Sequence, residues 1–309
     1  MTPWLSVVLP TYNGATHLAT ALESVRHEPL DGVEIIAVDD GSTDDTREIL
    51  RSFGGDLPLT VIERAHVGNW TRTTNIGLRA AHGTFACFLH QDDRWLRGRI
   101  TAVRRELERW PDVGMVIHHA AFIGPRDERL GPWRCPLEGG AVDRRLLVER
   151  LLVQNFIAIP SPVFRRDLAL IGGGLDEALW YAADWDLWLR LARTAPSRLI
   201  DSTLTAFRIH PESQTMTRSE RADDLREQMT VVFRRHLSDD IVSGVRRAAT
   251  FSIQVNAALA RATRGSPLPL PRLAGEFAAL GPRGWHRYLR DSRIMERVTS
   301  RIRMRLRTA

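Results

Sequence analysis

The stretch Phe85-Ala86-Cys87-Phe88-Leu89-His90-Gln91-Asp92-Asp93 constrains this chain more than any other. Five consecutive apolar residues fit a strand buried on both faces, as in parallel sheets covered by helices. The strand then stops in two carboxylates. In open α/β sheets ligands bind outside the carboxyl ends of strands. Acids at such an end point to a cation, or to a phosphate held through one. A solvated Asp-Asp turn is the plain alternative, because Asp is a common turn residue.

The flanking sequence supplies the rest of such a sheet. Leu5–Leu9, Val33–Val38 and Leu59–Ile62 are short apolar runs that read as strands, and Val113–Ile117 reads as a fifth after the run at 85–89. Helical spacing of apolar residues fills the intervals over 15–26, 68–82 and 95–110. Ser42 and Asp45 have the spacing of a capping box for a further helix. Strands alternating with helices predict a mostly parallel α/β sheet with helices on both faces. Beyond residue 118 the pattern weakens. Residues 119–143 read as a long loop, 144–153 and 184–192 as helices, and 199–209 as extended chain. From residue 218 helices dominate, with a stiff Pro-rich linker over 265–271. The expected division is 1–217, in halves 1–118 and 119–217, followed by a basic helical extension over 218–309.

Charge is unevenly placed. All 43 basic side chains are Arg. Residues 1–217 carry 24 Arg against 28 acids, and residues 218–309 carry 19 Arg against 9 acids. The net +6 therefore belongs to the tail, and the acidic body argues against nucleic-acid binding. No apolar run approaches the roughly 20 residues of a membrane-spanning helix, and the N-terminus predicts no secretory signal. Cys87 and Cys135 form neither a disulfide framework nor a zinc site.

Candidate ligand-binding groups gather at the strand ends. Tyr12, Asn13 and Gly14 follow the first strand, Asp39 and Asp40 end the second, and Asp92 and Asp93 end the strand at 85–89. Asp184 opens a later helix. Carboxylates of this kind tolerate a diphosphate only through a divalent cation, Mg²⁺ or Mn²⁺. Asp186 has Arg190 four residues on and reads as a structural ion pair. Trp185 reads equally as an acceptor-stacking ring or a core residue.

Ser6–Gly14 and Val38–Thr46 resemble the opening of family 2 glycosyltransferases. Asn75-Ile76-Gly77, Gly83 and Leu89–Asp93 continue the family's order. Ser161–Arg166, Gly173–Glu177, Ala183–Arg190 and Phe207–His210 resemble its acceptor half. The likeness covers roughly residues 4–217. It implies a GT-A fold and inverting transfer from a nucleotide-diphosphate sugar to a glycan or lipid-linked acceptor, in cell-envelope polysaccharide synthesis. It implies donor contacts at Pro10, Thr11, Tyr12, Asn13, Asp39, Asp40, Asn75, His90 and Gln91. It places the metal at Asp92 with His210, and the general base at Asp184. The chain departs from the family at His90, where an Asp is usual, and at Ala183, where a Glu is. The interval from Gly68 to Asn75 is one residue longer than usual, so no role carries over to Arg72.

Two rivals remain at this point. A catalytically silent nucleotide-sugar-binding scaffold would fit the loss of the acid at His90. A nucleotidyltransferase would need a basic Gly-rich loop where Thr11–Gly14 stands. The tail adds a location. Residues 285–307 space apolar side chains about four apart among arginines, the pattern of a basic amphipathic helix on an anionic membrane. The expected place is the cytoplasm, peripheral on the inner membrane face.

Overall fold

A computed structural model describes residues 2–210, 222–262 and 266–308. Its architecture follows from the apolar runs. Successive side chains of a strand point to opposite faces. In β1 (Leu5–Thr11) Val7 and Leu9 enter one core, and Val8 enters another. In β4 (Phe85–Phe88) Cys87 enters the first and Phe88 the second. A run without polar interruption is what two covered faces require.

The parallel part of the sheet is built from β3 (Leu59–Glu63), β2 (Val33–Asp39), β1 and β4, in that order. Helices α1 (Ala15–Arg26), α2 (Thr46–Phe53) and α3 (Trp70–Ala80) connect them. Beyond β4 the sheet continues as β9 (Val163–Arg165), β6 (Met115–Ile123), β10 (Ser197–Arg208) and β5 (Arg94–Trp95). β9 runs antiparallel to both neighbours, and β10 returns parallel to β6. Parallel ladders carry most of the pairing. Helix α4 (Arg99–Arg109) joins the first core. Helices α5 (Arg144–Val153), α6 (Arg166–Ile171) and α7 (Ala183–Thr194) contribute to the second. There Trp188 meets Phe88 and Phe164, with ring centroids 6.1 and 5.7 Å away.

Several expectations are corrected. Residues 119–143 are not a loop: β6 runs on to Ile123, and β7 (Arg129–Trp133) and β8 (Gly140–Val142) pair with β6 and β10. Gly and Pro within 124–140 hid these short antiparallel partners. The helix expected over 95–110 starts only at Arg99, because Arg94–Trp95 pairs with β10. Ser42 caps nothing. Its hydroxyl contacts Asp39 and receives the Asn13 N–H at 2.9 Å, while α2 starts at Thr46.

The C-terminal helices are α8 (Ala222–His236), α9 (Ser243–Ala262), α10 (Leu270–Ala279), α11 (Gly281–Ser292) and α12 (Ile294–Thr308). Met229, Val245, Phe251 and Tyr288 share the second core with α5 and α7. The Pro-rich linker is shorter than expected, since Leu270 already begins α10 with Pro271 in its first turn, where proline is tolerated. Residue 265 of that linker, and the division at 217 and 218, lie outside the described residues. The tail is not one helix. It breaks at Arg293, whose φ of 49° is left-handed.

Asp186 ties α7 to α8. Its buried carboxylate accepts from Arg190 Nε at 2.9 Å, Arg235 Nη1 at 2.9 Å and His236 Nε2 at 3.0 Å. Burial alone would raise its pKa, but His236 and Arg190 hold it far below the usual carboxylate range. Asp186→Ala is expected to cost about 1–3 kcal/mol, because it leaves the buried His236 ring without its partner, while Arg190 keeps the Gly172 and Gly174 carbonyls and Arg235 keeps Asp176. A folded-state pKa below the unfolded value gives stability that is present above the ordinary carboxylate pKa and lost as pH falls towards the folded one. Urea unfolding at neutral pH and under acid checks both. The variant should lose this acid-side component.

Candidate active site

All four parallel strands end on one edge, and the turns that follow are tied together across it. Tyr12 N–H donates to Gln91 Oε1 at 2.8 Å, and Gln91 Nε2 donates to the Tyr12 carbonyl at 3.0 Å. This reciprocal pair joins the turn after β1 to the turn after β4. The Gln91 amide lies against Gly14, where a Cβ would stand 2.3 Å from Oε1. The Asn13 carboxamide oxygen accepts from Thr43 N–H at 2.8 Å, binding the same turn to the one after β2.

A crevice of about 600 Å³ opens beside these turns. Pro10, Thr11, Tyr12, Asn13, Asp40, His90, Gln91, Asp92, Asp184 and His210 all line it. They come from positions up to 200 residues apart. Asp39 and Asn75, also expected at the donor, are not on its wall. Asp39 is fully buried beneath and holds the Ser42 N–H at 3.0 Å and Arg47 Nε at 2.9 Å. Burial works against its charge, and the bonds from Ser42 and Arg47 outweigh it, so its pKa is lowered. Asn75 spends its carboxamide on a turn. Its Nδ2 donates to the Leu175 carbonyl at 2.8 Å, and its oxygen accepts from Leu175 N–H at 2.8 Å.

At one end Tyr12 stacks on His66, with centroids 4.1 Å apart and planes 19° apart. Asp40 accepts from Gly68 N–H at 2.8 Å and lies 3.2 Å from His66 Nδ1. Gly41 permits this approach: its φ is 79°, and a Cβ there would meet the His66 nitrogen at 2.7 Å.

In the middle lie the acids that end the strand at 85–88. Asp92 faces His210, Oδ2 to Nε2 at 3.0 Å. Burial opposes its charge, but the His210 bond and nearby His90 hold its pKa down. Asp93 behaves oppositely. Burial and then the charge of Asp92 push its pKa well up, and its Oδ1 accepts the Arg208 N–H at 3.0 Å. Arg208 itself is buried and spent on the Asp92 and Gly124 carbonyls and on Asp127. Among the described residues, His90 Nε2 and Asp93 Oδ2 are buried without a hydrogen-bond partner. One ligand atom each from His90, Asp92 and Asp93 falls within 4.8 Å of the others. Orphaned polar atoms in a nitrogen-and-oxygen donor set fit a divalent cation.

At the far end Asp184 sits in the first turn of α7. Its Oδ2 accepts from Asn155 Nδ2 at 2.9 Å, and its Oδ1 accepts from Trp185 N–H at 2.8 Å. Burial raises its pKa to about 6, against those bonds. A carboxylate tuned towards neutrality is suited to take a proton. Trp185 is buried, with its indole N–H on the Leu151 carbonyl, and is part of the crevice wall.

Sequence reasoning missed much of this end. Trp133 stacks on Phe122 at 4.8 Å and meets Phe207 edge-on at 5.1 Å, forming an aromatic wall. Trp133 lay in the supposed loop. Asn155 follows a helix with no motif to mark it. Arg297 and Arg301 line the crevice from α12, where they read as members of an Arg-rich solvent face. Among the described residues no helix is long and apolar enough to cross a membrane.

Known proteins share this design. The family model described as Glycosyl transferase family 2 matches residues 6–167. A protein of Rickettsia prowazekii named an uncharacterized glycosyltransferase is 25% identical over 225 residues, which cover 70% of this chain and 67% of that protein. Another so named, from Haemophilus influenzae, is 26% identical over 260 residues and 83% of each chain. Among solved structures, S. aureus TarS 1–349 in complex with UDP-GlcNAc aligns with a TM-score of 0.68 at 17% identity, covering 97% of this chain and 89% of that one. The mannosyltransferase PcManGT from Pyrobaculum calidifontis, in complex with GDP-Man and Mn²⁺, gives 0.60 at 20% identity, with 98% and 87% covered. The fold is that of the GT-A glycosyltransferases. With more than half of its length matched, this chain belongs to glycosyltransferase family 2.

Proposed function

We propose that this glycosyltransferase moves a sugar from a nucleotide-diphosphate donor to a hydroxyl of a glycan or lipid-linked acceptor, inverting the anomeric carbon. One observation carries the reading: Asp40, Asp92 and Asp184, far apart in sequence, open on a single crevice. Tyr12 and His66 offer a stacked aromatic edge for a nucleobase, with Asp40 beside them for ribose hydroxyls. Asp39 supports that end from beneath through Thr11 and Ser42. Asn75 supports it at longer range by fixing the turn at Leu175. A divalent cation, Mg²⁺ or Mn²⁺, suits Asp92 and His210 with His90 and Asp93 in reach, and when bound it offsets negative charge on the leaving diphosphate. Asp184 takes the proton of the attacking hydroxyl, held in place by Asn155. Trp133 and Phe207 give an acceptor sugar ring an apolar face. The expected task is cell-envelope polysaccharide assembly.

Nucleotide release from a panel of sugar nucleotides, with and without Mn²⁺, tests the reading. Release from none of them, although one binds, would leave a silent scaffold instead. Asp184→Asn is expected to lower turnover by about 10²–10⁴ while the donor still binds. Turnover of the unaltered protein should fall as pH drops through about 6, because protonated Asp184 cannot accept a proton. The Asn155 bond lowers that pKa, so Asn155→Ala should move the acid limb upwards. A limb that stays put would remove Asp184 as the base.

Asp92→Asn is expected to weaken Mn²⁺ binding at least about 10-fold, measured by calorimetry on the full chain. Equal affinity would take Asp92 out of the metal site.

Peripheral attachment to the inner face of an anionic membrane belongs to the same reading. Leu289 and Ile302 expose about half of their surface among arginines of α11 and α12. The paired substitutions Leu289→Asp and Ile302→Asp should abolish flotation with anionic liposomes. Unchanged flotation would dismiss the contact.

A further inference from the structure

Two cations of the crevice are left over by everything above. Arg297 and Arg301 stand one turn apart on α12 and both line its wall. Arg297 donates to Asn256 Oδ1 and, at 3.5 Å, to the Ser292 carbonyl. Both acceptors are neutral. The Arg301 guanidinium has no hydrogen bond or ion pair among the described residues. Burial, and then the charge of Arg301, lower the Arg297 pKa to about 10. Two guanidinium groups that repel each other at a partly buried wall are stabilised by an anion between them.

Their position says which anion. Asn155 holds Asp184, and its neighbour Gln154 accepts from Asn256 Nδ2 at 2.8 Å. Asn256 in turn holds Arg297. A chain of side-chain bonds and one peptide link thus connects the general base to the arginine pair. Tyr181, two residues before Ala183, is near enough to Arg297 to act on its charge. The pair therefore faces the acceptor end. The donor's expected place is at Tyr12, Asp40 and Asp92, none of which belongs to this chain of bonds. Side chains four apart on a helix are about 5–6 Å apart at Cβ. Two forks at that separation suit the several oxygens of a tetrahedral phosphate better than a planar carboxylate, which one fork satisfies.

We propose that Arg297 and Arg301 form a subsite for a phosphate or phosphodiester group of the acceptor, so that the hydroxyl glycosylated lies on a phosphate-bearing molecule. This rests on the transfer reading above for the word acceptor, but the subsite is testable without turnover. Calorimetric titration of the full chain with glycerol 1-phosphate should show binding that Arg301→Gln weakens about 10-fold and Arg301→Lys weakens less. Glycerol and acetate should bind far more weakly. Arg297→Met is the second variant, judged only if its melting temperature matches that of the unaltered chain. Vesicles of phosphatidylglycerol separate the sources: Arg301-dependent sedimentation assigns the phosphate to a lipid-linked acceptor, and glycerol 1-phosphate binding without it assigns a soluble polymer. Equal glycerol 1-phosphate affinity in Arg301→Gln, or acetate bound as tightly, overturns the subsite. Turnover without Arg301-dependent binding overturns the subsite alone. Binding without turnover of any sugar nucleotide counts against the transfer mechanism alone.

Discussion

A sheet covered on both faces has little room for carboxylates except at its edges and ends, and the site depends on that exclusion. Val7, Val8, Leu9, Cys87 and Phe88 are all fully buried, split between two cores. From Val7 to Leu9 and from Phe85 to Leu89 the chain stays apolar, and it takes up acids as it leaves the sheet. Thr11, Asp39 and His90 mark those exits for β1, β2 and β4. Because these strands are parallel, the exits share one edge. Residues from four turns therefore meet without any contact between them in sequence. The reciprocal bond between Tyr12 and Gln91 then fixes two of the turns against each other.

Five carboxylates in and around the crevice are kept chemically distinct by their surroundings. Asp39 and Asp92 are held ionised, the first by Ser42 and Arg47 and the second by His210. Asp93 is driven towards its neutral form by burial and by Asp92. Adjacent acids with opposed tendencies suit one ion pair or cation, since two charges side by side in a buried place repel. Asp184 is raised only to about 6, enough to accept a proton near neutrality yet remain charged there. Asp186, two residues away, is pulled the other way by His236 and Arg190. The same residue type on one helix is thus tuned in opposite directions, towards neutrality at Asp184 and towards a fixed charge at Asp186.

The sheet and most of the acids were legible in the sequence because both leave local marks. A doubly buried strand is an unbroken apolar run, and a strand end is the first polar residue after it. Asp40 and Asp92 follow strand ends in that way, Asp184 opens a helix, the family likeness adds His210, and all four line the crevice. What was not legible depends on contacts made at long range. Trp133 sits in a short strand rich in Gly and Pro, whose pairing with β6 no local pattern announces. Asn155 acts only because α5 ends beside α7. Asn75 carries a family motif, yet its carboxamide is spent on Leu175, a hundred residues on. Periodicity also misplaced the tail, since apolar spacing near four runs through Arg293 although the backbone there turns left-handed.

That break decides what the last helix does. A continuous helix over 285–307 would keep one apolar stripe in line. Interrupted at Arg293, α12 leaves α11 in a new direction. Its Met304 is buried beside Phe122 and Leu130, and Arg303 donates to the Leu130 carbonyl at 2.8 Å. Packing on β7 in this way turns the face bearing Arg297 and Arg301 towards the crevice. The positive charge that composition assigns to the tail is therefore not all solvent-facing. Part of it lines the same crevice as Asp40, Asp92 and Asp184, so that crevice carries both signs of charge. A donor held at the acids through a cation, and an acceptor anion held at the arginines, would then be drawn to the crevice by opposite local charges, with Asp184 on the wall they share.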